Sequence, residues 1–326
     1  MSGSEQGKGN HGGLRVVALG AADVEAWFAV GAAPKNPAGA RSALENLFLT
    51  DSPPWPIRLV AFEGSTPVAR LGGYVTATGR LSIWFPDYSR DAPVRSLRES
   101  ARAMLAECLN FAASHWQIRY AESKPATDVS NVRLWLAVLE EAGFRQISEA
   151  KLFTLSLTSK PVAPTVGLRL RPSLEIPDSR LAALLESTFD GTFDRADAQM
   201  LESSQATLEE LRRIAGPDHN SSLWQVIEDE GELIGCVFCS ADEAAGDILH
   251  IGVVPRRRQT GMGALLLSSA LSELFTRGVC EVRALIDLAN YPSIALHERF
   301  GFRRLTDVFW IYRAFPSGGT FSTFSR

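Results

Sequence analysis

The stretch ILHIGVVPRRRQTGMG, residues 248–263, decides the fold. Its first part, Ile248–Val254, is a short apolar run with β-branched residues, which predicts a buried strand. The apolar run at 264–275 predicts a helix. Gly261 and Gly263 therefore lie in a strand-to-helix turn, where free N–H groups meet the positive end of the helix dipole. Because glycines have no side chain, a phosphate can approach closely, and the stretch predicts a pyrophosphate site.

Three arginines, Arg256, Arg257 and Arg258, precede these glycines. Guanidinium groups bind phosphate oxygens with paired hydrogen bonds, so we expect at least one of them to contact a phosphate. Taken alone, the segment also fits a tight loop before a core helix, with the arginines in solvent. A second segment favours the phosphate site.

That second segment is NYPSIALHERFGF, residues 290–302. Together the two segments resemble the GNAT superfamily of acyl-CoA N-acyltransferases. The cofactor loop of that superfamily has the form Q/R-x-x-G-x-G/A, and Arg258, Gly261 and Gly263 match it in register. The resemblance extends over residues 167–315. The residues that match the second motif are Asn290, Leu296, His297, Glu298, Gly301 and Phe302.

The resemblance implies an N-acetyltransferase. It would move an acetyl or other short acyl group from acyl-CoA to a primary amine of a small molecule, by direct attack in a ternary complex. The loop amides would hold the pyrophosphate, and the strand end would hold the pantetheine arm and donate to the oxyanion. The cofactor-binding residues implied are Val253, Val254, Arg258, Gln259, Thr260, Gly261, Met262, Gly263, Asn290 and Ser293.

The resemblance also implies two catalytic residues. His297 stands where many relatives carry a tyrosine that protonates the leaving thiolate, and imidazole titrates near neutral pH. A buried core histidine is the alternative. Asp247 stands at the start of the strand, where relatives often carry the general base; the alternative is a surface carboxylate in the hairpin at 242–247. His250 is a second candidate base, which strand alternation puts on the opposite face from Asp247.

The chain repeats itself at half its length. Gly13–Val16 is echoed by Gly167–Leu170, and Gly143–Ile147 is echoed by Gly301–Leu305. This duplication predicts an α/β (α+β) protein with two tandem GNAT-like domains, each a mixed, mostly antiparallel sheet flanked by helices. The layout resembles mycothiol synthase-like proteins. The predicted parts are a disordered tail at 1–12, a degenerate domain at 13–158, a linker at 159–166, an acyl-CoA domain at 167–315 and a loose tail at 316–326.

The first half lacks the cofactor loop. The strand-like run Arg80–Phe85 leads into a turn that contains Asp87 and Asp91 but no glycine, and then into a helix at Val94–His115. Negative charge and bulky side chains do not suit a pyrophosphate, so we expect one acyl-CoA for each chain. Whether this half walls the acceptor site or is only a structural partner stays open.

Charge, hydrophobic patterning and cysteine spacing argue against several classes of function. The formal net charge is −4, which does not suggest a nucleic-acid partner. No apolar stretch reaches the ~20 residues of a membrane span, and no signal sequence is evident, so we expect a cytoplasmic protein. The four cysteines show no metal-binding spacing and are expected in the core, with no metal. A homodimer, a non-catalytic acyl-CoA sensor and a protein that binds another nucleotide stay open.

Overall fold

The computed structural model of the 326-residue chain describes residues 9–11, 14–20, 24–31, 54–90, 92, 94–127, 130–161, 168–198, 203–216, 218, 221–242 and 245–315. The predicted tail at 316–326 and most of the predicted linker lie outside the described residues. The predicted disordered tail at 1–12 contains a strand, Gly9–His11, which pairs with residues 14–16. The chain divides into two compact units, one up to Ile147 and again from Phe309, the other Ser148–Val308.

The first unit is a mixed sheet covered by helices. Its strands β1 to β5 and β7 are neighbours in that order, and β6 pairs with β4. β5 and β7 are parallel because a helix connects them, whereas the other pairs are antiparallel. The elements are β1 (Gly9–His11), β2 (Leu14–Ala18), α1 (Val24–Phe28), β3 (Trp55–Glu63), β4 (Thr66–Val75), β5 (Arg80–Ile83), β6 (Asp87–Tyr88), α2 (Val94–His115), β7 (Tyr120–Ser123) and α3 (Val132–Glu141).

The second unit repeats this plan. Its strands follow the order β8–β13–β12–β11–β10–β9, and β12 and β13 form the parallel pair. The elements are β8 (Arg145–Ser156), β9 (Arg169–Pro172), α4 (Asp178–Phe189), α5 (Arg195–Ala198), α6 (Ser204–Ala215), β10 (Trp224–Asp229), β11 (Glu232–Ala241), β12 (Ala245–Val253), α7 (Met262–Thr276), β13 (Glu281–Asp287) and α8 (Tyr291–Arg299). The last strand, β14 (Arg303–Ala314), begins in the second unit and ends in the first. The predicted fold class is confirmed.

Each unit has its own apolar core. In the first, α2 buries residues at helical spacing, such as Met104 and Cys108, against the sheet. In the second, Trp224 stacks on Phe238 with ring centroids 4.1 Å apart. Cys236 and Cys239 are fully buried, as expected of small core residues. The expectation was wrong for the fourth cysteine, because Cys280 is exposed.

The last strand of each repeat does not pair within its own half. Residues 150–156 of β8 pair antiparallel with β13, and residues 311–314 of β14 pair antiparallel with β7. The compact units therefore end at 147 and 308, not at the boundaries expected from the domains 13–158 and 167–315. A sequence repeat identifies equivalent strands in the two halves. It does not determine their pairing, because a strand pairs with whichever sheet edge is unpaired beside it.

None of the described helices has the length and apolar character needed to cross a membrane.

Candidate functional site

The parallel strands β12 and β13 diverge halfway along their length. They pair only from Ala245–Ile248 to Glu281–Ala284, and beyond Ile248 β12 remains paired with β11 alone. The divergence begins at Leu249, an extra residue in β12, because Phe238 pairs with His250 whereas Cys239 pairs with Ile248. This bulge opens a gap between the two strands.

The bulge also resets the faces of β12. Asp247 is opposite Ser240 and His250 is opposite Phe238, and Ser240 and Phe238 share a face of β11. Asp247 and His250 therefore lie on the same face, and the expectation from simple alternation was wrong. Their surroundings differ, since the carboxylate of Asp247 accepts two hydrogen bonds of 2.9 Å from Arg283.

Backbone groups of β12 face the gap. The N–H of Val254 donates to the carbonyl of Ile234 in β11, at 3.0 Å. Because successive residues of a strand point their backbone groups to opposite sides, those of Val253 and Ile251 point away from β11. The carbonyl of Val253 accepts from Nε of Arg258 at 3.1 Å, which leaves the N–H of Val253 directed at the gap. This places a donor where the resemblance expects the oxyanion.

The loop after β12 leads into the N-terminus of α7. Gln259 and Gly261 have positive φ angles of 63° and 89°. Within the described part of the chain, the backbone N–H groups of residues 259–264 have no hydrogen-bond acceptor. A methyl group on Gly261 would have no atom within 4 Å, so the space above the loop is open. Unpaired donors at the positive end of a 15-residue helix form an anion cradle.

The three arginines before the cradle have partners in the protein. Arg256 forms an ion pair with Glu232, and Arg257 with Asp229. Arg258 donates to backbone carbonyls: that of Val253 and, at 2.7–3.1 Å, those of Thr188, Asp190 and Gly191. It therefore ties the end of α4 to the end of β12. Arg257 and Arg258 also line the cleft, so contact between one of the three and a phosphate stays a prediction.

The gap and the cradle belong to one cleft of about 440 Å³. Of the residues expected to bind cofactor, Val253, Arg258, Gln259, Gly261, Gly263, Asn290 and Ser293 line it. Val254 and Met262 are buried, and Thr260 is exposed outside the lining. Arg257, one of the three arginines expected near a phosphate, and Leu296, a residue of the second motif, also line the cleft. The sequence did not identify the other lining residues: Thr188, Gly191, Thr192, Phe193, Ile251, Gly252, Ala264, Pro292 and Arg299.

One wall of the cleft is α8. Asn290 caps this helix, since its side-chain oxygen accepts from the N–H of Ser293 at 3.3 Å. The helix packs closely on the cradle, because a methyl group on Gly263 would lie 3.3 Å from Cδ2 of Leu296. The second glycine of the motif therefore lies in close contact with α8, whereas the first borders open space.

His297 does not reach the cleft. It is 1% exposed, its Nδ1 lies 2.8 Å from the carbonyl of Ser293, and its ring packs edge-on against Phe302. A carbonyl only accepts, so the proton is on Nδ1 and the buried Nε2 carries none. Burial lowers the pKa of His297, which keeps the ring neutral. The core alternative describes this residue better than the role of acid.

His250 lies beside the cleft. Its Nε2 is 3.2 Å from Oγ1 of Thr188, a cleft residue whose hydroxyl donates to the carbonyl of Leu185 at 2.8 Å. The threonine oxygen therefore accepts from Nε2–H, and Nδ1 keeps a lone pair. Enclosure, which includes edge contact with Phe189, lowers the pKa of His250 to about 4. The imidazole is thus neutral at neutral pH.

Asp287 holds the rim of the cleft in place. This carboxylate is 2% exposed and accepts from the hydroxyl of Ser148 at 2.6 Å, from the N–H of Ala289 at 2.6 Å and from the N–H of Arg195 at 3.1 Å. It thereby joins β8 and the start of α5 to the end of β13. The loop before α5 carries Phe193, which lines the cleft.

The corresponding turn of the first unit makes different contacts. Between β5 and α2, Asp87 lies in a short strand and accepts from Nε of Arg70 at 2.8 Å. Trp84, just after β5, covers the buried guanidinium of Arg58, with the ring centroid 4.4 Å from its Cζ. Asp91 lies outside the described residues.

Comparisons with known proteins agree with this geometry. Residues 183–302 match the model of the acetyltransferase (GNAT) family. A mycothiol acetyltransferase of Thermobispora bispora is 30% identical over 198 residues, which are 55% of this chain and 65% of the relative. One of Clavibacter michiganensis subsp. michiganensis is 32% identical over 111 residues, 33% of this chain and 36% of the relative. The match thus spans less than two thirds of either relative.

Two solved structures share the fold over most of the chain. A GCN5-related N-acetyltransferase of Sphaerobacter thermophilus has a TM-score of 0.67 at 16% identity and covers 94% of this chain and 97% of its own. A tandem GNAT protein of the clavulanic acid biosynthesis pathway has a TM-score of 0.60 at 17% identity and covers 94% and 99%. Residues 183–302 in the second half of the chain therefore match the acetyltransferase (GNAT) family, and the whole chain shares the fold of these two solved structures.

Proposed function

We propose that the chain is an N-acetyltransferase that moves an acetyl group from acetyl-CoA to a primary amine of a small molecule. The observation that carries the proposal is the combination, in one cleft, of an anion cradle at the start of α7 and unpaired backbone groups on diverging strands. A pyrophosphate fits the cradle, and an amide-rich pantetheine arm fits the gap, where it would take the place of a missing strand.

The chain contributes mainly positioning and electrostatics. The cradle amides hold the pyrophosphate, and the backbone groups of Ile251 hold the pantetheine arm. The N–H of Val253 donates to the thioester oxygen as it gains negative charge. The amine nitrogen bonds to the carbonyl carbon, the carbon–sulfur bond breaks, and the proton lost by the nitrogen finally balances the thiolate. The bound orientation lowers the entropic part of the barrier.

We assign the first acceptance of that proton to His250. Its Nδ1 lone pair is set by the hydrogen bond from Nε2 to Thr188, and its lowered pKa keeps it unprotonated at neutral pH. An imidazole of low pKa is a weak base, so it passes the proton on and does not retain it. Asp247 is engaged by Arg283, and His297 is buried outside the cleft lining, so neither carries this step.

Two observations support a small-molecule acceptor: the names of the relatives and the aromatic side chains at the rim of the cleft. The relatives are named mycothiol acetyltransferases, which supports a small-molecule acceptor for this chain. At the rim, Phe193 and Tyr291 are 47% and 61% exposed, with ring centroids 4.6 Å apart. Exposed aromatic faces beside a cleft offer packing area to the apolar side of an acceptor.

The test is thioester consumption by the full chain. Acetyl-CoA is mixed with a panel of small primary amines, released CoA thiol is measured with a thiol reagent, and the acetylated amine is identified by mass spectrometry. We expect thiol release that depends on one class of amine. Tight binding of acetyl-CoA without release for any amine would favour a non-catalytic sensor. Displacement of CoA by equimolar ATP or NAD would favour a nucleotide-binding protein.

A further inference from the structure

Arg299 differs from the other arginines of the cleft in its surroundings. Among the residues that the structure describes, three arginines line the cleft: Arg257, Arg258 and Arg299. Arg257 is paired with Asp229, and Arg258 donates to four backbone carbonyls. Arg299 is exposed and has no ion pair or side-chain hydrogen bond with any residue that the structure describes.

The acidic neighbour of Arg299 is engaged elsewhere. The carboxylate of Glu298 forms an ion pair of 3.1 Å with Arg304. The exposed guanidinium of Arg299 is therefore not neutralised by the adjacent residue, and it adds positive charge to the cleft. Two parallel N–H groups of such a guanidinium match two oxygens of a phosphate.

The position of Arg299 along α8 indicates which phosphate it would meet. The helix starts just after β13, one of the two strands that border the gap. Its residues that line the cleft, Ser293, Leu296 and Arg299, recur every three positions. Each step advances about 4.5 Å along the axis. Leu296 packs on Gly263 of the cradle, so Arg299 lies one step beyond the cradle, on the side away from the gap.

CoA has the same order of groups. Its pantetheine arm leads to the pyrophosphate, and the pyrophosphate leads to a ribose with a 3′-phosphate. With the arm in the gap and the pyrophosphate on the cradle, the next anionic group is the 3′-phosphate. We infer that Arg299 binds the 3′-phosphate of CoA and makes the cleft selective for 3′-phosphorylated cofactor. This inference rests on the proposed function.

The test compares CoA with 3′-dephospho-CoA by calorimetry on the full chain. We expect wild type to bind CoA about tenfold more tightly, the size of one partly exposed charge-assisted contact. Arg299→Gln should lose this preference while its affinity for 3′-dephospho-CoA stays within twofold of wild type. Arg299→Glu should reverse the preference. Arg303→Gln is the matched control, because Arg303 is exposed and lies outside the cleft lining, and it should keep the preference.

The outcomes separate the two proposals. Equal affinity of wild type for both ligands, or an unchanged preference in Arg299→Gln, would overturn the assignment of Arg299 and leave the acyl-CoA site intact. Binding of neither ligand would overturn the proposed function and this inference together. Melting curves of each variant establish that it is folded before the affinities are compared.

Discussion

Replacing Gly261 by alanine should have two separate effects, one on the stability of the fold and one on the affinity for CoA. Gly261 has φ +89° and borders open space, so alanine meets no protein atom but adopts a left-handed backbone conformation. That strain costs about 1 kcal/mol. For a unit of the size of residues 148–308, this lowers the melting temperature by about 2–4 °C. The new methyl group projects into the cleft, where it would displace a phosphate from at least one amide, a loss of about 1.5–3 kcal/mol.

Gly278→Ala is the matched control. Gly278 has φ +82°, also has no atom within 4 Å of a built methyl group, and lies after α7, outside the cleft lining. Both variants should melt at the same reduced temperature, whereas only Gly261→Ala should bind CoA about 10- to 100-fold more weakly in calorimetry. Equal CoA affinity in the two variants would refute the cradle. A much larger loss of stability in Gly261→Ala than in Gly278→Ala would contradict the conclusion that the space above Gly261 is open.

Three further predictions concern side chains around the cleft. The folded-state pKa of His250, about 4, lies below its ordinary 6.5. The contribution of this histidine to the free energy of unfolding should therefore be fully present above pH 6.5 and should fall by about 3 kcal/mol between pH 6.5 and pH 4. Urea titrations should show a flatter profile in His250→Gln, and an identical profile would contradict the shift. His297→Phe should lose about 1 kcal/mol of stability with unchanged turnover of the folded fraction; reduced turnover would restore its acid role. Asp287→Asn should raise the KM for the amine and leave the Kd of CoA unchanged. An unchanged KM with weaker CoA binding would contradict a role of Asp287 at the rim.

Much of the fold could be predicted because its signals are local and long. The helix predicted at 264–275 is observed as Met262–Thr276, and the helix predicted at 94–115 is observed as Val94–His115. Both are long segments bounded by loops, and periodicity over many residues outweighs individual propensities. The glycine turn could also be predicted, since the positive φ of Gly261 favours a residue without Cβ.

The site was less predictable because its details depend on tertiary contacts. The bulge at Leu249 leaves no mark in a run of apolar residues, yet this one residue puts Asp247 and His250 on the same face. The spacing of the second motif placed His297 on α8, but it did not reveal which face of the helix would be buried. Asp287 is a single carboxylate at a strand end, and its three donors are up to 139 positions away in sequence.

The segment 148–308 is an insertion within another folding unit, and this has a consequence for synthesis on the ribosome. All the strands of the inserted unit are available once residue 308 has emerged. The first unit must wait for residues 309–315, which supply the partner of β7. The part of the chain made first should therefore complete its sheet last, the reverse of the usual order in which an N-terminal domain finishes before the next begins. Pulse-labelled nascent chains that are released after residue 308 should resist protease over the inserted unit and be cleaved in the earlier one.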